Sequence, residues 1–323
     1  MSEHKAATMS VIKALMDGVI DYAGLFPPSA VSMDQAVTNY AKYLRSEHAS
    51  FLGRFVCPVA RLDELTKEGA MLMPGTHATS GYRENADTID AWRISGVLRE
   101  DLPGALEKIY QFNEHHDDEA NGLAMVDAIE MPVRTPDEID EALEVLPEMI
   151  GAAFEIPQDI VVDGDPRGLI AALAGSGVLA KVRCGGVEPQ MIPDSASIAR
   201  FMIGCKRADV GFKCTAGLHH PIRKEYALTY EDDAPRGVMH GFVNMFFAGA
   251  ATRKLKNIDE ATIIAILDET DPEKFVFKDD SIRWDTITIG TDDLVVARES
   301  FITSFGSCSF TEPTDDLRSM GLL

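Results

Sequence analysis

The chain is expected to form a (β/α)8 barrel, and three observations carry that expectation. Short apolar or β-branched runs alternate with amphipathic stretches along most of its 323 residues. The alternation recurs about eight times, which suits a closed parallel barrel better than an open sheet with fewer strands. No GxGxxG follows any early strand, so a doubly wound dinucleotide fold has nothing to support it.

The expected strands, in order, are Asp21–Phe26, Leu52–Pro58, Trp92–Leu98, Leu123–Glu130, Ile150–Ile156, Val178–Arg183, Val210–Thr215 and Phe305–Phe310. Between them lie helical stretches such as Met33–Arg45, Leu102–Phe112, Pro136–Leu146, Arg167–Leu173 and Ser195–Cys205. In the first of these, Ala36, Tyr40 and Leu44 recur every four residues and share one face. Ser32, Asp101, Thr135 and Asp194 precede four of the stretches as capping residues. Regularity fails after Arg223. A polar excursion, Lys224–Arg236, leads into a Phe- and Met-rich helix, Gly237–Leu255, whose Phe242, Met245, Phe246 and Phe247 read as core. A helix Asp259–Asp268 and a hairpin Phe275–Ile289 complete what reads as an insertion over residues 224–300 of one barrel domain spanning 1–323.

Composition narrows the function. Hydrophobic residues make up 46% and charged residues 25%, which rules out a disordered chain or a disulfide scaffold. A formal charge of -22 disfavours nucleic acid and anionic membranes as partners. Met1 to Ile20 interleaves charges with apolar residues and does not read as a signal peptide; Gly237–Thr252 is too short to span a bilayer. Five cysteines without a CxxC pair fit a reducing, cytoplasmic compartment. A homo-oligomer is compatible with all of this.

Charge is unevenly spread. Gly177–Lys224 carries a net +5 against -27 for the rest of the chain. Lys181, Arg183 and Lys213 lie within apolar strand runs, where a cation is costly unless it has a partner or a job. Lys181 and Arg183 share one face of their strand, and Lys213 and Thr215 share one face of the next. At the C-terminal mouth of a barrel both pairs would enter an active site. Gly185 and Gly186 would offer backbone amides to a phosphate or carboxylate. Two neighbouring lysines would depress each other's pKa, and a neutral amine forms a Schiff base with a carbonyl.

Paired lysines on the sixth and seventh strands resemble those of the class I (Schiff-base) aldolase barrels of the deoxyribose-phosphate aldolase type. That family has a Lys-Thr-Ser-Thr-Gly-like strand followed by a Lys-x-Ser-Gly-Gly-like strand. Here Lys181-Val-Arg-Cys-Gly-Gly186 comes first and Lys213-Cys-Thr-Ala-Gly217 second, so the two flavours are exchanged. The resemblance covers Lys181 to Gly217 and implies imine chemistry at one of the two lysines.

Glu130 and Glu155 end the fourth and fifth strands and would move protons or pair with Lys181. His219, following Lys213 closely, is a candidate general acid; His220, Arg223, Ser307 and Ser309 are candidate anion or hydroxyl contacts. His115-His116 lies in a polar run and is expected to be solvated. Asp21, in or near the first strand, is read as catalytic or, at least equally, as a helix-start or turn residue. Cys184, Cys214 and Cys308 fall near strand ends and read as packed thiols.

The expected function is therefore a metal-independent lyase or isomerase, without a cofactor, acting on a small anionic carbonyl metabolite such as a sugar phosphate or keto acid. One alternative is a sugar isomerase or epimerase using Mg or Mn on Glu130, Glu155 and His219. The other is a barrel that binds an anionic metabolite without turning it over.

Overall fold

A computed structural model describes residues 10–76, 91–99 and 101–323. The expectations for residues 1–9 lie outside these. Eight parallel strands close into a barrel: β1 (Ile20–Tyr22), β2 (Leu52–Pro58), β3 (Trp92–Val97), β4 (Ala124–Pro132), β5 (Gly151–Glu155), β6 (Leu179–Arg183), β7 (Phe212–Thr215) and a last strand, Ile302–Ser307. Between β7 and the last strand, β8 (Lys224–Ala227) pairs antiparallel with β9 (Arg236–Met239). Strands β10 (Phe275–Lys278), β11 (Ser281–Trp284) and β12 (Ile287–Gly290) form a separate antiparallel sheet. The closing strand is accordingly β13, which pairs with β7 on one side and β1 on the other. The (β/α)8 barrel and its insertion are therefore as the alternation predicts, with three short strands where a hairpin is expected.

Local chemistry sets the helix starts. Ser32, Asp101, Thr135 and Asp194 each accept a hydrogen bond from the backbone N–H three residues on, which supplies a partner for an otherwise orphaned helical donor. The helix Phe242–Lys254 is buried over nearly its whole circumference, because the insertion covers its outer side. Phe242 and Phe246 pack on Phe305 of β13, so this helix supports the closing strand from outside.

Two strand boundaries differ from expectation for physical reasons. β1 stops at Tyr22, where Ala23 donates to the carbonyl of Ser307 and Phe26 turns back to Ala23; a cis Pro27-Pro28 bond follows. β13 begins at Ile302 and ends at Ser307, because Ser309 is committed to the start of the final helix: its Oγ accepts from the N–H of Glu312. His116 also corrects its expectation. It is 1% exposed, with Nε2 at 2.9 Å from Thr66 Oγ1 and Nδ1 at 2.6 Å from the Gly122 carbonyl, and burial lowers its pKa. Among the described residues no helix is long and apolar enough to cross a membrane.

Candidate active site

Strand alternation places the charged side chains. On β6, Ala180 and Val182 are fully buried under the helices, while Lys181 and Arg183 take the barrel face. On β7, Phe212 and Cys214 are buried outward, and Lys213 and Thr215 face in. The register sets Lys181 beside Lys213 on one side and beside Glu155 on the other.

These groups form one chain of alternating charge. Asp21 Oδ2 lies 2.7 Å from Lys213 Nζ, which lies 2.7 Å from Glu130 Oε1. Glu130 Oε2 lies 2.6 Å from Lys181 Nζ, which lies 2.7 Å from Glu155 Oε2. Arg183 reaches Glu155 Oε1 at 3.6 Å. Three carboxylates alternate with three cations, so the buried cluster is neutral as a whole. Hydroxyl and amide donors complete it: Ser304 and the Arg54 N–H donate to Asp21, and Ser95 donates to Glu130. Pairing of this kind is what makes buried charge tolerable.

The electrostatics correct the expectation of mutually depressed lysines for Lys213. Burial pushes its pKa down, but Asp21 and Glu130 outweigh burial and hold the ammonium above the ordinary lysine range. Burial likewise pushes Glu130 up, and the two ammonium groups more than reverse this, holding its carboxyl well below the usual range. The carboxylate between the two lysines replaces repulsion with attraction on both sides.

A cavity of about 430 Å³ opens above the cluster at the C-terminal ends of the strands. Glu130, Glu155, Lys181, Arg183, Gly186, Thr215 and His219 line it, together with apolar residues such as Phe26, Leu98 and Met239. Lys213 and Asp21 are not among its lining residues and lie behind Glu130. The cavity therefore presents one of the two lysines.

Other expected contacts sit elsewhere. His220 lines a smaller adjoining cavity, where Nδ1 lies 2.6 Å from Asp316 Oδ2. Arg223 is turned to Asp268 at 3.3 Å and to His240 at 3.1 Å. Ser307 is buried and accepts from the Ser309 N–H; neither serine lines the large cavity. Gly185 is spent on packing. A Cβ on Gly217 would lie 2.7 Å from the Gly185 Cα, and Gly217 has φ +72°, so the loops after β6 and β7 touch backbone to backbone. Gly217→Ala is expected to cost about 1–3 kcal/mol, from the left-handed φ and overpacking together. Gly177→Ala, where φ is +77° but nothing lies within 4 Å, should cost less. Urea unfolding of both variants checks this, and equal losses would count against the close-packing argument.

Sequence reasoning missed several residues. Asp21 is an internal ion-pair partner, neither a turn residue nor among the residues that line the cavity; its place in the middle of a three-residue strand gave little signal of that role. Cys308 is the larger miss. Cys184 and Cys214 are packed thiols away from the cavity, but Cys308 lines it, with Sγ 3.9 Å from His219 Nε2 and 3.6 Å from the Tyr230 hydroxyl. His219 Nδ1 in turn lies 2.9 Å from Glu312 Oε2. The metal set Glu130, Glu155 and His219 is not assembled: both Glu130 oxygens meet ammonium groups, and His219 is engaged by Glu312. Among the described residues no group of three or more His, Cys, Asp and Glu is arranged to hold a metal ion.

Comparison with protein-family models, curated proteins and solved structures returned no match. The barrel implied by the aldolase resemblance is present, and the resemblance has no family match behind it.

Proposed function

We propose that the barrel is a lysine-imine enzyme, a lyase or isomerase of aldolase type acting on a small anionic carbonyl compound. The observation that carries this reading is the unequal placement of the two lysines. Lys181 lines the cavity between two carboxylates, while Lys213 stands behind Glu130 as a fixed cation. The roles follow from position. Glu155, which lines the cavity and touches Lys181 Nζ, takes the ammonium proton. The neutral amine adds to the substrate carbonyl, Glu155 returns that proton to the oxygen and then relays a second from the added nitrogen to the same oxygen, and water leaves to give the iminium. That iminium accepts the electron pair released when a neighbouring C–C bond breaks or an α-proton is removed. Glu130, pinned in its charged form by two cations, fixes Lys181 and stabilises the iminium charge.

Arg183, at the rim, is suited to the substrate's anionic group, as is the Gly186 backbone beside it. Arg183→Ala is expected to weaken binding of phosphate or a keto acid roughly tenfold or more. Arg200→Ala, on the exposed side of its helix, should leave it unchanged. Isothermal titration at two salt concentrations measures both, and equal losses would reduce Arg183 to general surface charge.

The decisive experiment is reductive trapping. Borohydride with a panel of aldehydes, ketones and keto acids should add one substrate mass to the protein, and peptide mapping should place it on Lys181. An adduct on Lys213 would reverse the assignment. Turnover of a substrate that never traps, and that stops with chelator, would overturn the imine scheme.

A further inference from the structure

A second reactive arrangement faces the same cavity, and the imine scheme does not use it. Cys308 follows the end of β13, His219 follows β7, and Glu312 lies in the first turn of the final helix. Folding aligns them in sequence: Cys308 Sγ to His219 Nε2 at 3.9 Å, then His219 Nδ1 to Glu312 Oε2 at 2.9 Å. The Tyr230 hydroxyl, from the loop between β8 and β9, donates to the same Glu312 oxygen at 3.2 Å. A carboxylate that orients an imidazole, which in turn faces a nucleophile, is the general form of an activated side chain. Of the five cysteines only Cys308 is among the residues lining the cavity; the other four are buried elsewhere.

We propose that Cys308 is a nucleophile of this cavity, that His219 takes its proton, that Glu312 positions His219, and that the electrophile is the carbonyl carbon of a small aldehyde. The step is balanced with the groups present. The thiolate lone pair forms a C–S bond, the C=O π pair moves onto oxygen, and the Nε2 proton of His219 goes to that oxygen. The product is a neutral hemithioacetal, and no oxidant or reductant enters. Attack on a thioester or ester would further require a leaving group and a returning water. Addition to an aldehyde needs only the nucleophile and one proton.

The surroundings favour the charged pair. Burial raises the Cys308 thiol, but His219, Ser29 and Tyr230 more than offset it and leave the pKa below the ordinary thiol value. Burial pushes His219 down, and its contacts with Cys308 and Glu312 raise it to about 9. Tyr22 and Tyr43 also lie near the sulfur, and both keep their protons at neutral pH because burial raises their pKa. The groups facing Cys308 are thus one cation, one carboxylate and four neutral groups, the Tyr22, Tyr43 and Tyr230 phenols and the Ser29 hydroxyl. The thiolate–imidazolium pair persists between the lowered thiol pKa and about pH 9.

This inference stands apart from the imine reading, since the thiol needs neither Lys181 nor Glu155. The test is alkylation of the full chain with iodoacetamide, followed by intact mass and peptide mapping, across pH. One carboxamidomethyl group on Cys308 is expected, entering at about pH 6.5 roughly tenfold faster than into a free thiol such as glutathione. His219→Gln should slow this about tenfold at that pH and restore most of the rate above pH 9, where an ordinary thiol ionises. Glu312→Gln should fall between the two, a pH-profile shift that a purely structural role would not produce. In a Lys181→Met background, where no cavity amine competes, millimolar glycolaldehyde should protect Cys308 from alkylation. Labelling that follows an ordinary thiol profile in the wild type overturns the proposal whatever the variants do, including any that misfold. Fast labelling without aldehyde protection overturns the carbonyl assignment.

Discussion

Lys213→Met is expected to cost about 3–5 kcal/mol of stability, because it leaves two buried carboxylates short of a shared cation. Asp21 would keep only Ser304 and the Arg54 N–H, and Glu130 would keep Lys181 and Ser95. The neutral cluster would become a net anion, with Asp21 only 1% and Glu130 only 3% exposed. A loss of that size is a large part of the roughly 5–15 kcal/mol that holds a typical domain together. The pH dependence gives the prediction a second handle. Glu130 has a depressed pKa in the fold, so its contribution is present above the unfolded carboxylate value and lost as pH falls. Lys213 has a raised pKa, so its contribution is complete below the unfolded lysine value and lost only as pH rises beyond it. In the variant, a stranded carboxylate recovers stability by taking a proton. The gap between wild type and variant should therefore narrow from pH 7 to pH 4. Urea unfolding at the two values measures it; a loss under about 1 kcal/mol at pH 7, or a gap that widens in acid, would show that Lys213 does not hold the cluster together.

The same deletion shows why Asp21→Asn should be read together with Lys213→Met. Two residues in direct contact do not contribute independently, and the double variant should lose less than the two single losses added. The residual loss would measure what Glu130 alone draws from Lys213.

The barrel was legible because its signals are local. Caps lie within three residues of the groups they satisfy, and strand alternation separates Lys181 and Arg183 from Val182 without any knowledge of the fold. The lysines could be assigned to one face, and to neighbouring strands, for that reason. What they touch could not. Asp21 and Lys213 are 192 residues apart, and the contact exists only because β13 closes the barrel between their strands. Without that closure the two lysines read as a repelling pair; with Glu130 between them the sign of the interaction reverses. The Cys308 arrangement was illegible for the same reason. His219, Tyr230 and Glu312 arrive from the loop after β7, the β8–β9 connection and the final helix, and no short spacing joins them. The boundary of β13 mattered too: a strand running to Phe310 would have placed Cys308 within the sheet and given it a packed thiol's surroundings.

Lys181→Met is expected to abolish imine trapping outright, whereas Glu155→Gln should slow it by about 10²–10⁴ while leaving the adduct on the same residue. The two differ because one removes the nucleophile and the other only its proton acceptor. Glutamine keeps the shape and a carbonyl oxygen toward Lys181 but cannot take the ammonium proton, so the amine must lose it to water. Substrate binding should change little in Glu155→Gln, because the anionic group is assigned to Arg183, and the loss should fall on kcat with KM nearly constant. Neither substitution should approach the instability of Lys213→Met. Lys181 has Glu130 and Glu155 as partners, but Glu155 faces the cavity and can be hydrated when its cation is gone, and Glu130 retains Lys213. Single-turnover trapping, a melting curve and KM for each variant make the separation measurable. If Glu155→Gln traps at the wild-type rate, the proton acceptor is another group and the role given to Glu155 fails. If Lys181→Met still traps, the imine forms elsewhere and the placement of the lysines ceases to explain the chemistry.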